Sequence, residues 1–233
     1  MPLRAETVYR QHRYAAPPGA TEILLVRHGE SQPADPERPF PLVDGHGDPP
    51  LDPVGREQAD RLAARLVGER VGAIYVTSLC RTAETAAPAA RRLGIEPRVE
   101  PDLREVYLGE WEGGLFRVMA AQHHPAFVRA MASERWDEIP GAEAQDAFAG
   151  RVAAAVARIH AAHPDERVVA VTHGGVIGQI LAAATQSRPF AFMGADNASI
   201  SHIVVLDDTI SLRRFNDTTH LEHDFSVASP PPI

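Results

Sequence analysis

The stretch Leu25-Val-Arg-His-Gly-Glu-Ser31 decides how this chain is read. An apolar run, Ile23 to Val26, leads straight into an Arg, a His and a Gly, as expected of a strand that delivers an imidazole to a phosphate. Four apolar residues in a row suit a short strand buried on both faces, and open α/β sheets gather their ligands at the carboxyl ends of such strands. Arg27 would offer a bidentate fork to a phosphate beside the candidate nucleophile His28.

Three further segments end in the same chemistry. Val168 to Thr172 reads as a strand followed by His173-Gly174-Gly175, which opens a helix. A glycine after each imidazole lets the backbone approach a ligand, and amides at the helix start favour an anion. Ala73 to Thr77 reads as another buried strand, and Thr77-Ser-Leu-Cys-Arg-Thr82 brings a second guanidinium, Arg81, to the corresponding end. Asp102-Leu-Arg-Glu105 and Gly109-Glu-Trp-Glu-Gly113 place carboxyl groups on a loop over the sheet edge. Two imidazoles, two guanidiniums and a carboxyl form a complete set for phosphoryl transfer without a metal, which needs an in-line nucleophile, cations around the equatorial oxygens and a proton for the leaving oxygen.

The rest of the chain is organised around these segments. Asp52-Pro53 reads as the N-cap and first residue of a helix to about Glu69, with Ala59, Leu62, Ala63, Leu66 and Val67 on its apolar face. A helix from Arg81 to Leu93 should stop at Gly94, and Arg98 to Glu100 is a short strand. Leu115 to Arg135 reads as one or two helices broken near Pro125, Ala142 to Ala161 as a long helix, and Val176 to Ala184 as another. Ser201 to Leu206 and Ser211 to Phe215 flank Asp207-Asp208-Thr209 as a hairpin. Between Gln32 and Pro50 the prolines, Gly45, Gly47 and three aspartates predict a long ordered loop. Strands alternating with helices define an α/β chain with a mostly parallel sheet.

Composition narrows the function. The 233 residues carry 44% hydrophobic and 23% charged side chains, as in ordinary globular proteins, and are read as a single domain at 21–228 between an extension, 1–20, and a tail, 229–233. A formal charge of -8 opposes binding to nucleic acid or to an anionic membrane, and no apolar run approaches the roughly 20 residues that span a bilayer. The lone Cys80 points to a reducing, cytoplasmic setting. It is read as a small apolar filler rather than a reactive thiol; His123, His124, His220 and His223 are read as surface groups, and Trp111 and Trp136 as packing residues.

Taken in order, LVRHGES (Leu25 to Ser31), PLDPVGREQA (Pro50 to Ala59), TSLCRTAETA (Thr77 to Ala86), LREVYLGEWEG (Leu103 to Gly113) and VTHGG (Val171 to Gly175) resemble the histidine phosphatase superfamily, also called phosphoglycerate mutase-like. The resemblance spans about residues 23 to 217. It implies a three-layer α/β/α sandwich, no metal and no cofactor, and a phosphomonoesterase of the histidine acid phosphatase type. By the same resemblance His28 is the nucleophile that becomes phosphorylated, Arg27 and Arg81 clamp the phosphate, and His173 completes the pocket. Glu105 is implied as the acid for the leaving group and then the base for water, with Ser31 and the Gly174 amide as further phosphate contacts. A homodimer is expected only by analogy.

Two departures from the family pattern matter. Mutase members continue after the histidine motif with Trp-Asn and carry a long basic insertion after the catalytic acid, whereas here Gln32-Pro33 and a short Val-Tyr-Leu-Gly-Glu-Trp-Glu-Gly follow. Hydrolysis of a small phosphorylated metabolite is therefore preferred over phosphoglycerate mutase action. The 32–50 loop is also longer than in compact phosphatases, and its His46 is a candidate substrate contact, otherwise a solvated loop histidine. The remaining alternatives are a metal-dependent phosphoesterase with His28, His46, Asp48 and His173 as ligands, and a non-catalytic phosphate-binding protein on the same fold.

Overall fold

Every strand of the central sheet that carries a site residue is buried on both faces, so helices must cover the sheet above and below. In chain order the elements of the computed structural model, which describes residues 11–221, are β1 (Thr21–Arg27), β2 (Leu42–Val43), β3 (His46–Gly47), α1 (Pro53–Leu66), β4 (Ala73–Val76), α2 (Cys80–Leu93) and β5 (Arg98–Val99). They continue as α3 (Leu115–Ala121), α4 (Pro125–Ser133), α5 (Gln145–Ala162), β6 (Arg167–Thr172), α6 (Gly174–Thr185), β7 (Ile200–Leu206) and β8 (Thr209–Asp217). The sheet order is β5-β4-β6-β1-β7-β8. β5, β4, β6 and β1 run parallel, and β7 pairs antiparallel with both β1 and β8.

Two separate cores confirm the three layers. One face packs Ile23, Leu25, Val168 and Ala170 against Phe148, Val152, Val156 and Ile159 of α5 and Val176, Ile177 and Ile180 of α6. The other packs Leu24, Val26, Val169 and Val171 against Leu62, Ala63 and Leu66 of α1 and Ala86, Ala89 and Ala90 of α2. Alternate residues of β1 and β6 thus feed opposite cores, as the two-residue period of a strand requires.

Local chemistry sets the boundaries. The Asp52 Oδ1 accepts the Gly55 amide at 2.7 Å and Pro53 occupies the first turn of α1. The helix ends at Leu66, so Val67 is exposed rather than part of the apolar face. α2 begins at Cys80 and stops at Gly94, whose φ of 67° is left-handed. α5 starts at Gln145, three residues later than its composition indicates, because Ala142 and Glu143 are held in a turn by bonds to Ile139 and Tyr107. Within the 32–50 loop, Asp44 and Gly45 both have positive φ and turn β2 back onto β3, a two-residue hairpin the composition did not reveal.

One close approach sets the loop after His28 against α1. A Cβ on Gly55 would lie 2.0 Å from the Glu30 carbonyl oxygen, and one on Gly29 would lie 2.6 Å from the Gly55 carbonyl. Only glycine at both positions lets the residue after the histidine pass this helix start. Trp111 and Trp136 are buried, as expected, in an aromatic cluster with Phe116, Phe127 and Phe190 beside α3 and α4. The tail at 229–233, half of the 1–20 extension and His223 lie outside the described residues.

Candidate active site

The sheet order brings the predicted residues together. β1 and β6 are neighbours with Arg27 opposite Thr172, so the next residues on each strand, His28 and His173, meet with ring centroids 5.2 Å apart. β4 lies on the far side of β6, which carries Arg81, in the first turn of α2, to the same edge.

His28 is 6% exposed, and its Nδ1 lies 2.7 Å from the Gly29 carbonyl oxygen. A carbonyl can only accept, so Nδ1 carries the proton and Nε2 keeps its lone pair. Burial, then the fields of Arg81 and Arg27, hold this imidazole well below the ordinary histidine range, against the opposing bond to Gly29. The neutral form is the one that can attack phosphorus. A cradle formed by the loop before β7 fixes the main chain here: Asn197 Nδ2 donates to the His28 carbonyl at 2.9 Å, and the Ala198 amide donates to the Arg27 and His28 carbonyls.

His173 is fully buried. Its Nδ1 accepts from Arg81 Nη2 at 3.3 Å, which leaves the proton on Nε2 to be donated to Thr77 Oγ1 at 3.1 Å. Thr77 and Thr82 continue that chain to the Leu79 carbonyl. Burial and the Arg81 guanidinium lower the proton affinity of His173 strongly, with smaller effects from His28, His46 and Arg27. In this geometry His173 aims Arg81. The other donor group of Arg81, Nη1, reaches the Gly47 carbonyl at 2.9 Å and lies 3.7 Å from Asp48 Oδ1. Arg27 gives Nη1 to the Ala195 carbonyl, while its Nε is buried without a protein partner.

Both histidines carry fewer protons folded than unfolded when the pH is below the ordinary value of 6.5. Their contribution to stability is fully present above that value and is lost as the pH falls from it, by up to about 1.4 kcal/mol per pH unit for each ring. Urea midpoints should therefore drop between pH 7.5 and pH 5.5, and His28→Gln should make the drop shallower. A slope unchanged by the substitution would refute the assignment to His28.

Glu105 sits opposite these cations on the loop after β5. Its Oε2 accepts the Gly175 amide at 3.1 Å and its Oε1 accepts the Val106 amide at 3.0 Å. The loop is tied down from below: Thr172 Oγ1 donates to the Leu103 carbonyl, and Arg151 of α5 donates to the carbonyls of Asp102, Arg104 and Glu105 while its fork grips Glu143. A Cβ on Gly175 would stand 2.5 Å from Glu105 Oε1. Because the clash is with the tip of a flexible side chain, Gly175→Ala should displace the carboxylate while sparing the fold. We expect a fall in kcat of about 10- to 100-fold with a melting temperature within a few degrees of wild type; equal kcat would show that Glu105 has freedom to spare.

The other expected contacts line the same edge. Ser31 is buried and the Gly174 amide opens α6. His46 is buried rather than solvated: its Nδ1 reaches the Asp44 carbonyl at 3.2 Å, its ring meets Tyr107 edge-on, and its Nε2 has no protein partner. The alternative metal set is not assembled, since His173 uses both nitrogens and Asp48 accepts the Cys80 amide; among the described residues no group of three or more metal-ligating side chains forms. Burial, then Asp48, pushes the Cys80 thiol up to about 12, which opposes thiolate formation at this half-buried position.

Three residues escaped the sequence reading: Asn197, Arg151 and Arg117. Arg117 lies on α3 and brings a third guanidinium, donating from Nη2 to Ser31 Oγ at 2.7 Å and from Nη1 to the Gln32 carbonyl at 2.8 Å. A lone basic residue within Leu115-Phe-Arg-Val-Met119, just after the acid motif, was the available signal.

Comparison with known proteins shows the family. The model of the histidine phosphatase superfamily, branch 1, matches residues 23–218, and the chain belongs to that family. It is 36% identical over 208 residues to phosphoglycerate mutase-like protein 4 of Arabidopsis thaliana, covering 86% of this chain and 87% of the relative. It is 33% identical over 204 residues to the metal-independent phosphoserine phosphatase of the same plant, covering 86% and 83%. Among solved structures, a mycobacterial glucosyl-3-phosphoglycerate phosphatase in complex with VO3 superposes with a TM-score of 0.72 at 27% identity, covering 84% of this chain and 99% of that one. No helix among the described residues is long and apolar enough to cross a membrane.

Proposed function

We propose that the protein is a phosphomonoester hydrolase that acts on a small phosphorylated metabolite through a covalent phosphohistidine, without a metal. The observation that carries the reading is the state of His28: its Nδ1 proton is committed to Gly29, its Nε2 lone pair is left for attack, and burial, then the Arg81 and Arg27 guanidiniums, favours the neutral ring. In this reading the dianion lies among Arg27, Arg81 and the amides that open α6, and His173 holds Arg81 in place. His28 Nε2 attacks phosphorus in line, the P–O bond to the alcohol breaks, and Glu105 gives its proton to the departing oxygen. Glu105 then takes a proton from water, whose oxygen displaces His28 and releases phosphate.

The phosphatase names among the relatives support hydrolysis over mutase action, and the substrates in those names, phosphoserine and glucosyl-3-phosphoglycerate, are small phosphate monoesters. Phosphate release from an aryl phosphate, measured in chelator with and without vanadate, tests the reading. Chelator-resistant, vanadate-sensitive release is expected. Movement of phosphate between the carbons of phosphoglycerate, with none released, would favour a mutase; activity lost in chelator would favour a metal enzyme. Binding of phosphate without any turnover would leave the non-catalytic alternative.

A further inference from the structure

The loop that carries Glu105 is gripped by one largely buried ion pair, between Arg151 of α5 and Glu143 in the turn before that helix. All five N–H donors of the Arg151 guanidinium are used. Nε and Nη2 donate to the two Glu143 oxygens, each at 2.8 Å. The other three bonds go to main-chain carbonyls: Nη1 to Asp102 at 2.7 Å and to Arg104 at 2.8 Å, and Nη2 to Glu105 at 2.9 Å. The Phe148 ring, 4.9 Å from the guanidinium carbon and one turn back on α5, adds a cation–π contact. Glu143 holds the chain beyond Glu105. Its Oε2 accepts the Tyr107 amide at 3.3 Å, and its own amide donates to the Tyr107 carbonyl at 2.9 Å. The pair therefore fixes main-chain groups before, at and after Glu105.

This grip differs in kind from the other ion pairs that join α5 to the same connection. Arg158, two turns further along α5, is half exposed and meets only the side-chain carboxylates of Glu100 and Asp102. Arg151 instead binds the backbone itself, and the carboxylate carried by that backbone reaches α6 through a single bond, from the Gly175 amide at 3.1 Å. A loop shift of about 1 Å would break such a bond, and a displacement of that size costs a proton donor about 10²-fold. Lysine at 151 would keep the charge, but three donors on a rotating ammonium cannot replace a planar fork with five.

We infer that Arg151 and Glu143 are positioning residues for the proton-transfer step: they set the main chain so that the Glu105 carboxylate stands at the Gly175 amide, while binding of the phosphate is independent of them. This inference rests on the hydrolase reading with Glu105 as its acid.

The test uses the intact chain. Arg151→Lys and Glu143→Gln should each lower kcat for an alkyl phosphate by about 10- to 100-fold and leave KM within about threefold. The burst of phenol from an aryl phosphate, whose departure needs no proton, should keep its rate to within about the same threefold. In a Glu105→Gln background, Arg151→Lys should cost alkyl phosphate turnover nothing further, because the group it positions is already disabled. A merely structural role would add its loss in both backgrounds. Arg158→Met, from the same helix, is the control and should leave the ratio of alkyl to aryl rates unchanged. A second readout needs no substrate: in Arg151→Lys the Val106 and Gly175 amides, which Glu105 protects, should speed up in hydrogen exchange by at least about 10-fold more than the Val169 and Val171 amides of β6.

Additive losses in the two backgrounds, or exchange at Val106 and Gly175 no faster relative to β6, would overturn the inference and leave the pair as a structural tie between α5 and the loop. Equal slowing of alkyl and aryl esters by Arg151→Lys would overturn it as well, provided that Glu105→Gln does separate them. Failure of the hydrolase reading has a different signature: the unsubstituted chain hydrolyses no ester, or Glu105→Gln slows both classes alike, yet the two amides still lose their protection in Arg151→Lys.

Discussion

Replacing His28 with Ala should reduce turnover of every phosphomonoester to background, a loss of at least about 10⁴-fold, because no other side chain at the sheet edge can take over the attack. Thr77, Ser31 and the Cys80 thiol are the nearest alternatives by chemistry. Thr77 Oγ1 is occupied by His173 and Thr82, Ser31 Oγ by Arg117, and the thiol stays protonated. The cations survive the substitution, so His28→Ala should still bind phosphate or vanadate; loss of both binding and turnover would mean that the variant has collapsed. Brief mixing of the unsubstituted chain with an aryl phosphate, followed by denaturation in base, should trap an acid-labile phosphoryl group on the peptide containing His28. Turnover that survives His28→Ala would remove this residue from the mechanism.

Glu105→Gln should separate substrates by their leaving groups. The glutamine oxygen can still accept the Gly175 amide, so the loop keeps its anchor while the side chain loses the ability to give up or accept a proton. Alkyl phosphates, whose departing alkoxides need that proton, should slow by about 10²- to 10⁴-fold. An aryl phosphate leaves without help and should lose much less in the first step. The second step still needs a base, so the variant should release one equivalent of the phenol in a burst and then stall as the phosphoenzyme. Equal losses for both ester classes without a burst would exclude Glu105 as the proton donor and turn attention to Glu112, whose two oxygens are engaged by the Gly47 and Leu108 amides.

Much of the site was legible because strand ends carry it. Arg27-His28, Thr77 to Arg81 and Thr172-His173 each follow a short apolar run, and a parallel sheet aligns the ends of such runs without further information. Glu105 was less legible from its residues alone. Glu110 and Glu112 lie in the same loop, and what singles out Glu105 is the Gly175 amide and the grip of Arg151 on the loop backbone, contacts 46 to 70 residues away in sequence. Arg117 and Asn197 were illegible for the same reason. An arginine in a short apolar helix and an asparagine in a loop have no pattern until α3 and the strand β7 bring them to Ser31 and His28.

The His46 segment shows the boundary from the other side. Its composition marked a loop, and the Asp-Gly pair at 44 and 45 is the local signal of a tight hairpin. Burial of His46 is set elsewhere, by Tyr107 against its ring, by Glu112 holding the Gly47 amide and by Arg81 holding the Gly47 carbonyl. A loop's exposure is decided by what packs on it, and here the partners are the 105–113 loop and Arg81.

The sequence by itself determined an α/β chain with a mostly parallel sheet, the sheet edge where the candidate site lies and the polar groups at its strand ends, because hydrophobic periodicity and strand-end motifs are local and survive without tertiary contacts; the three layers followed from the family resemblance. Only the tertiary structure decided which ring nitrogen of His28 is free, that His173 braces Arg81, and that a third guanidinium joins the pocket. Those outcomes depend on the distance and direction of partners remote in the chain, and proton position and electrostatic balance follow from such partners rather than from the identity of the residue that bears them.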